Sequence, residues 1–317
     1  MVDIKHLEDI ANILRRDVAV MTTKAGSGHP TSCFSCAEIM SALFFHEMKY
    51  DIKNPDNPDN DEFILSKGHA APILYSCLFR ANCIKNNLNT LRKFNSPLEG
   101  HPTPNLKWVK AATGSLGQGL SIGMGFALAT KIQKRDFRTY ILLGDSELSE
   151  GSIYEALQFA SYYKLNNITA IADVNRLGQT GQTMLGHDIK SYKRRFKSFG
   201  WKALTINGHN IKQILKALKK ARKSNKPVII LAKTIKGKGI SFLENKENWH
   251  GKVMNSLELN MALDELPNKQ FPKIKIKKPI KKGFKFKNTK LVFSDYHLGE
   301  KIATREAYGN ILANLAK

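Results

Sequence analysis

Short apolar segments alternate with amphipathic segments through residues 138–234. Apolar runs such as YILL and ITAIADV are bounded by turn residues, as expected for buried strands. The segments between them, for example SIYEALQFASYYKL and IKQILKALKKARKS, repeat apolar residues at helical spacing. This β-α-β-α-β-α-β order predicts an α/β fold with a doubly wound, mostly parallel sheet and helices on both faces. The first hundred residues are predicted to be mostly helical, with long polar loops around DIKNPDNPDNDEF and FNSPLEGHPTPN.

The positive charge of the chain is unevenly distributed. Its 317 residues carry a formal net charge of +23, and a basic field attracts phosphate in any form. Ten lysines and no acid fall between Lys269 and Lys290, in a stretch broken by Pro272, Pro279 and Gly283. A charge run without apolar periodicity is typical of a solvated connector. We therefore interpret this stretch as a linker and do not expect nucleic acid to be the main partner.

The apolar content indicates a soluble globular protein. With 42% hydrophobic residues, the chain is long enough to bury a large core. No run of about 18 consecutive apolar residues occurs, and the N-terminal segment carries charges at helical spacing rather than the apolar block of a signal peptide. These features predict a cytoplasmic protein with no membrane span. The four cysteines are too few for a disulfide framework and are expected to be reduced.

The strongest chemical signal lies where two predicted strands end. Strand YILL ends in Gly144-Asp145, and the next strand, ITAIADV, ends at Asn175. If these strands are neighbours, a carboxylate and an amide oxygen meet at one edge of the sheet, where they suit Mg2+ completed by diphosphate oxygens. The intervening helix is predicted to begin near Ser152 and to direct its N-terminal amides toward the same region. In isolation, both residues could equally be ordinary turn residues that end strands.

Seven motifs give this chain a resemblance to a known family. The segment LLGDSELSEGSIYEALQFASYYKLNNITAIADVNRLGQT resembles the thiamine diphosphate (ThDP) fingerprint of transketolases, in which Gly-Asp-Gly precedes a later Asn. Six further motifs match in family order: AGSGHP, LSKGHA, GHP, TGSLGQG, KTIKG and WHG. The similarity covers nearly the whole chain, so membership of another family is not expected.

The resemblance implies ThDP and Mg2+ as cofactors. It assigns the side chains of Asp145 and Asn175, and the backbone carbonyl of Leu177, to Mg2+. His29, His101 and His250 match histidines that serve catalysis and contact the substrate, a role that suits a group able to exchange protons near neutrality. The further positions that it assigns to cofactor binding are His69, His250, Lys236, Gly114, Leu116, Asp145, Ser146, Asn175, Glu150 and Glu155.

Three of these cofactor positions carry a qualification. Ser146 replaces the second glycine of the fingerprint, and its Cβ would be strained if the site required a positive φ. Glu150 and Glu155 match an acid cluster near a dimer interface. Ser152 and Glu155 also have the spacing of a capping box, which would explain them without any catalytic role.

The last residues match the start of a second domain. The resemblance divides the chain into a ThDP-binding domain (residues 1–266), a lysine-rich linker (267–299) and a truncated first helix of the pyrimidine-binding domain (300–317). On this helix Arg305 matches a residue that binds substrate phosphate, a task suited to its fork of donors. With no domain to bury its apolar face, the segment is expected to be disordered or to pack on a partner.

These assignments imply part of a transketolase, the enzyme that transfers a two-carbon ketol unit from ketose phosphates to aldose phosphates. A separate C-terminal chain would supply the pyrimidine-binding and C-terminal domains in a homo- or hetero-oligomer. Two alternatives remain open: an inactive truncated remnant, and a nonenzymatic basic module that binds RNA. Another ThDP enzyme, such as a deoxyxylulose phosphate synthase, is disfavoured by the segments ELSEGS and NRLGQT.

Overall fold

The protein was analysed as a computed structural model that describes residues 3–280 and 295–315. The chain divides into two compact units, Met1–Lys282 and Gly283–Lys317. The described helices of the first unit are α1 (Ile4–Ala25), α2 (Pro30–Phe34), α3 (Ala37–Ala42), α4 (Ala71–Arg80), α5 (Gln118–Ile132), α6 (Gly151–Tyr162), α7 (Ile189–Ser198), α8 (Ile211–Arg222) and α9 (Ser256–Glu265). Its strands are β1 (Glu62–Leu65), β2 (Thr139–Gly144), β3 (Ile168–Val174), β4 (Lys202–Asn207) and β5 (Val228–Lys233).

The five described strands form one sheet in the order β1-β2-β3-β5-β4, and every pair in it is parallel. The predicted α/β fold is confirmed, and β2 and β3 are neighbours as the metal-site argument required. The sequence reading missed β1, whose first two residues fall in a segment predicted to be a polar loop. Four residues after a run of Asp, Asn and Pro are too short to show a strand period.

Helices cover both faces of the sheet, and the side-chain alternation of the strands explains why. Along β2, Tyr140 and Leu142 enter the core shared with α1, α3, α4 and α8. The alternate residues Ile141 and Leu143 enter a second core beneath α5, α6 and α7. Successive strand residues point to opposite faces, so an apolar strand such as β2 requires a helical layer on each side.

Helix α1 shows how local sequence sets the ends of an element. The side chain of Asp3 accepts a hydrogen bond from the Lys5 N–H at the N-terminus, and Gly26 ends the helix with a left-handed φ of 61°. Buried residues Leu7, Leu14 and Val18 recur at helical spacing between these ends. The pattern buries one face of α1 against α3 and α4.

The first part of the predicted linker lies on the first unit. Phe271 packs edge-to-face on Phe45, with ring centroids 5.5 Å apart, and Ile274 and Ile276 pack against the core. The Tyr50 N–H donates to the Lys277 carbonyl at 2.8 Å. Residues 281–290 of the lysine run lie outside the described part of the chain. The domain boundaries given above stay predictions.

The second unit contains α10 (Thr304–Leu315), so the terminal segment forms a helix rather than lacking regular structure as one expectation had it. Tyr308, Ile311, Leu312 and Leu315 are exposed on this helix. Among the described residues, no helix is both long enough and apolar enough to cross a membrane. All four cysteines are free, as expected, and three of them are buried.

Candidate functional site

The carboxyl ends of β2 and β3 open into a pocket of about 240 Å³. Gly144 pairs with Asp173 at the end of these strands, which brings Asp145 and Asn175 together as predicted. The loops after α1, after β1, before α5 and after β5 complete the wall. The pocket is lined by His29, Ser32, Lys67, His69, His101, Gly114, Leu116, Gly144, Asp145, Ser146, Glu147, Asn175, Leu177, Gln179, Lys236 and His250.

Asp145, Asn175 and Leu177 form one side of the pocket, here called the metal side. The Asp145 carboxylate accepts hydrogen bonds from the N–H groups of Ser146 at 3.0 Å and Arg176 at 2.6 Å, and from the Thr183 hydroxyl at 3.3 Å. Burial, reinforced by the charge of Asp173, raises the pKa of Asp145 to about 6. Asp145 is therefore still ionised at neutral pH and can ligate a cation.

The carbonyl of Leu177 already faces a positive charge. Lys236 donates from Nζ to this carbonyl at 2.8 Å and to the Gly178 carbonyl at 3.1 Å. Among the described residues, no cluster of three His, Cys, Asp or Glu side chains could hold a metal ion. A cation at this site therefore depends on one carboxylate, one amide and one carbonyl, with its remaining ligands supplied by a bound anion or water.

Four further lining residues are histidines, here together called the histidine side. The ring of His29 lies 5.2 Å from that of His69, 5.1 Å from that of His250 and 6.3 Å from that of His101, measured between centroids. Lys236 Nζ lies 2.8 Å from His250 Nδ1. If Lys236 donates there, the imidazole proton of His250 resides on Nε2.

The histidines are held in their neutral form. Burial lowers the pKa of His29 to about 4, assisted by the charges of His101 and Lys236. Burial and the charge of Lys236 lower the pKa of His250 to about 3, and burial also lowers the pKa values of His69 and His101. Neutral imidazoles can each donate one hydrogen bond and accept another, which suits anionic and hydroxylated ligands.

Lys67, which lines the pocket, forms a buried ion pair with Asp173, and this pair is here called the floor. Lys67 donates from Nζ to Asp173 Oδ2 at 2.5 Å and to the Ser32 carbonyl at 2.9 Å, and both charged side chains are fully buried. Asp173 also accepts from the Ser35 hydroxyl at 2.5 Å and from the Thr234 hydroxyl. Although burial opposes its ionisation, Lys67 and these donors hold the pKa of Asp173 below its usual value. The opposite charges of Lys67 and Asp173 therefore offset each other within the floor.

A second buried acid joins the loops around the pocket. Glu147 accepts hydrogen bonds from the Ser66 hydroxyl and from the N–H groups of Gly117 at 2.9 Å and Gly144 at 3.0 Å. Ser66 precedes the loop of His69, and Gly117 follows Leu116. Glu147 thereby ties these two pocket-lining segments to the end of β2.

Ser146 takes up the fingerprint position without strain. It begins a 3-10 turn that runs from Ser146 to Ser149, and its φ is not among the positive values found in the chain. The anticipated penalty for a side chain at positive φ therefore does not apply.

The two predicted interface acids and Arg305 are not among the residues that line this pocket. Glu150 and Glu155 are exposed at the start of α6 and do not line the pocket. Helix α6 begins at Gly151, where Glu150 makes no side-chain capping bond, so the predicted Ser152–Glu155 capping box is wrong. Arg305 is exposed on α10 in the second unit. The roles of Glu150, Glu155 and Arg305 stay predictions.

Several residues that line or support the pocket were not singled out from the sequence. Lys67 stood in a quoted motif without a role, whereas Asp173, Glu147 and Gln179 were passed over. Asp173 did carry a signal, because an acid inside the apolar strand ITAIADV needs a buried partner. Glu147 and Gln179 belong to polar loops, where sequence periodicity gives no such signal.

The residues present fit ThDP and Mg2+. Neutral imidazole donors and the Lys236 ammonium line the same pocket as the Asp145 carboxylate and the Asn175 amide, as a metal-bound diphosphate requires. His29 Nδ1 is buried and has no hydrogen-bond partner within the described chain, so the pocket retains a polar group for a ligand to satisfy. At Gly114, which has φ +157°, an added Cβ would lie 3.1 Å from the His101 ring. The backbone of Gly114 therefore borders the pocket without a side chain in between.

Comparisons with known proteins agree with this geometry. Residues 7–296 match the family model described as "Transketolase, thiamine diphosphate binding domain". Human transketolase is 46% identical over 323 residues, which cover 98% of this chain and 51% of the human protein. The chain thus spans about half the length of such relatives.

Solved structures show the same similarity. Transketolase from Campylobacter jejuni matches 84% of this chain and 43% of its own, with 36% identity and a TM-score of 0.79. A Pichia stipitis transketolase in complex with sedoheptulose 7-phosphate matches 82% of this chain and 41% of its own, with 28% identity and a TM-score of 0.74. The chain therefore belongs to the transketolase family and corresponds to its thiamine diphosphate binding domain.

Proposed function

We propose that this chain anchors ThDP through Mg2+ and acts as the ThDP-binding part of a transketolase. The observation that carries the proposal is the convergence of the metal side and the histidine side on one pocket at the carboxyl end of the sheet. This is where ligands bind in open α/β sheets. Family membership supports the choice of ThDP over other diphosphates.

The two sides of the pocket have separate tasks in this proposal. Asp145, Asn175 and the Leu177 carbonyl would hold Mg2+, which would supply positive charge to bind the diphosphate. Further diphosphate contacts come from His69, His250 and Lys236. Lys236 suits the task because its ammonium is buried beside the metal side, even though burial and the charge of Lys67 lower its pKa to about 8. ThDP, when bound, supplies the nucleophile that carries a two-carbon unit.

The substrates in this proposal are sugar phosphates. His29 and His101 lie at the histidine side, and His101 is exposed toward solvent. Their neutral rings can orient sugar hydroxyls and move protons, as His250 can from the cofactor side. The Pichia stipitis relative was crystallised with a ketose phosphate, which supports this substrate class. Arg305 would bind the substrate phosphate.

The remaining part of the active site comes from a second chain in our proposal, and the assembly works in the cytoplasm. The relatives are about twice as long as the chain, and α10 exposes apolar residues that a further domain could cover. Glu150 and Glu155 would then join an acid cluster at an interface between subunits. Such an assembly could be a homo-oligomer or a hetero-oligomer.

Reconstitution tests this function. The chain would be mixed with a polypeptide that comprises the unmatched remainder of the human enzyme, and transfer from a ketose phosphate to an aldose phosphate would be measured with ThDP and Mg2+. Activity is expected only in the mixture. Full activity of the chain alone would contradict the divided site. Absence of both activity and ThDP binding in the mixture would indicate an inactive remnant instead.

A further inference from the structure

We propose that the hydroxyl of Ser146 donates a hydrogen bond to the diphosphate, and so adds a contact that the glycine of the family fingerprint cannot make. The inference rests on the proposed function, because it concerns the same pocket. Ser146, which departs from the glycine of the motif, thereby has a role in binding.

The backbone at this position permits a side chain. Ser146 has no positive φ, and it opens the 3-10 turn from Ser146 to Ser149 directly after the metal-side carboxylate. Its N–H donates to Asp145 Oδ1 at 3.0 Å. The backbone N–H therefore orients the carboxylate, and the hydroxyl is a separate group.

The hydroxyl lies in the pocket wall. Ser146 lines the pocket between Asp145 and the loop that carries Leu177 and Gln179. A Cβ placed on Gly178 would lie 3.1 Å from Ser146 Oγ, which locates the hydroxyl against that loop. It is thus beside the two segments that provide the metal side.

The hydroxyl is also available to a ligand. Within the described residues Ser146 Oγ makes no hydrogen bond. The nearby acids are occupied by other donors: Asp145 by backbone N–H groups and Thr183, and Glu147 by Ser66, Gly117 and Gly144. A hydroxyl that has no internal acceptor and faces an anion site is suited to donate to a phosphate oxygen.

Calorimetric titration of the chain tests this assignment, with Mg2+–ThDP and Mg2+–pyrophosphate as separate probes at saturating Mg2+. The variants are Ser146→Ala, which keeps the Cβ, and Ser146→Gly, which restores the family residue. Ser149→Ala is the matched control, since Ser149 ends the same 3-10 turn, is exposed and does not line the pocket. Urea unfolding of each variant checks that the fold is retained.

Both Ser146 variants are expected to bind both probes about tenfold more weakly, the scale of one hydrogen bond to a charged group. Ser149→Ala should bind like the original chain. Unchanged binding by Ser146→Ala, tighter binding by Ser146→Gly, or a loss confined to ThDP would each overturn the proposal and leave the proposed function standing. If the original chain binds neither probe, the proposed function fails and this inference fails with it.

Discussion

The metal side and the histidine side of the pocket differ in how far the protein satisfies its own polar groups. On the metal side, Asp145 accepts hydrogen bonds from three donors. On the histidine side, His29 Nδ1 is buried without a partner, and the pKa values of all four rings are lowered. The first side is pre-organised by the chain, whereas the second is left incomplete until a ligand arrives.

The origin of each side explains this difference. Asp145 and Asn175 directly follow neighbouring strands, whose register fixes their separation. The histidines lie on loops or short turns from four separate parts of the chain, and three pairs of their rings lie 5.0–5.2 Å apart between centroids. We infer that the sheet positions the metal and that ligand binding completes the histidine side.

The largest expected effect is a loss of stability when the Lys67–Asp173 ion pair of the floor is broken. Lys67→Met leaves the charge of Asp173 buried without its partner, so the free energy of unfolding should fall by about 3–5 kcal/mol, measured by urea denaturation. Lys110→Met is the matched control, because its partner Asp56 is largely exposed, and should cost less than about 1 kcal/mol. Adding Asp173→Leu should recover part of the loss. Equal stability of the two single variants would contradict a structural floor.

The next effect concerns the histidine side and pH. The pKa of His29 is about 4 in the fold against 6.5 for the free group, so the unfolded chain binds the extra proton between these values. The contribution of His29 to the free energy of unfolding is therefore complete above pH 6.5 and is lost as the pH falls toward 4. When the pH falls from 7.5 to 4.5, the free energy of unfolding should fall by about 1–2 kcal/mol less in His29→Gln than in the original chain, after a reduction for solvent screening. Parallel stability curves in urea would show that His29 is not desolvated.

A smaller effect, on the affinity for ligand, distinguishes the histidine side from the metal side. His250→Gln removes a neutral donor from the histidine side and should weaken Mg2+–ThDP binding about tenfold, while binding still requires Mg2+. The control His6→Gln alters a half-exposed histidine near the start of α1, at the end opposite the loop that carries His29, and should leave the affinity unchanged. Calorimetric titration with and without EDTA gives both quantities. Loss of the Mg2+ requirement in His250→Gln would contradict the division of tasks.

The smallest effect compares two helix starts. The Asn255 side chain and Glu258 form a capping box at α9, so Asn255→Ala should cost about 1 kcal/mol of stability. Ser152 makes no such cap at α6, and Ser152→Ala should cost less than about 0.5 kcal/mol. Thermal unfolding of both variants measures the difference. A larger loss for Ser152→Ala would indicate a capping role that the structure does not contain.

The sequence predicted the fold best where long apolar runs are bounded by turn residues. The apolar runs of β2, β3, β4 and β5 were placed correctly, and with them the meeting of Asp145 and Asn175. Strand β1 was missed because it has four residues, too few to establish a period against the polar loop before it. The start of α6 shows a similar limit: Ser152 and Glu155 have capping-box spacing, but the N-cap position is held by Glu150, two residues before Ser152.

The histidine side was accessible only through family resemblance. No periodicity relates His29, His69, His101 and His250, which come from separate loops and meet only in the folded chain. The buried pair of Lys67 and Asp173 was missed although an acid in an apolar strand signals a hidden partner. A buried ion pair between distant residues depends on which segments meet in the folded chain. The local sequence pattern does not determine which segments meet.

The most direct test of the central claim, that the metal side anchors ThDP through Mg2+, is calorimetric titration of the chain with ThDP and Mg2+, with and without EDTA. Asp145→Ala is compared with Asp264→Ala, which alters an exposed aspartate on α9. We predict metal-dependent binding that survives Asp264→Ala and is lost in Asp145→Ala and in EDTA. Binding that persists without Mg2+ or in Asp145→Ala would contradict the account, as would the absence of binding by the original chain.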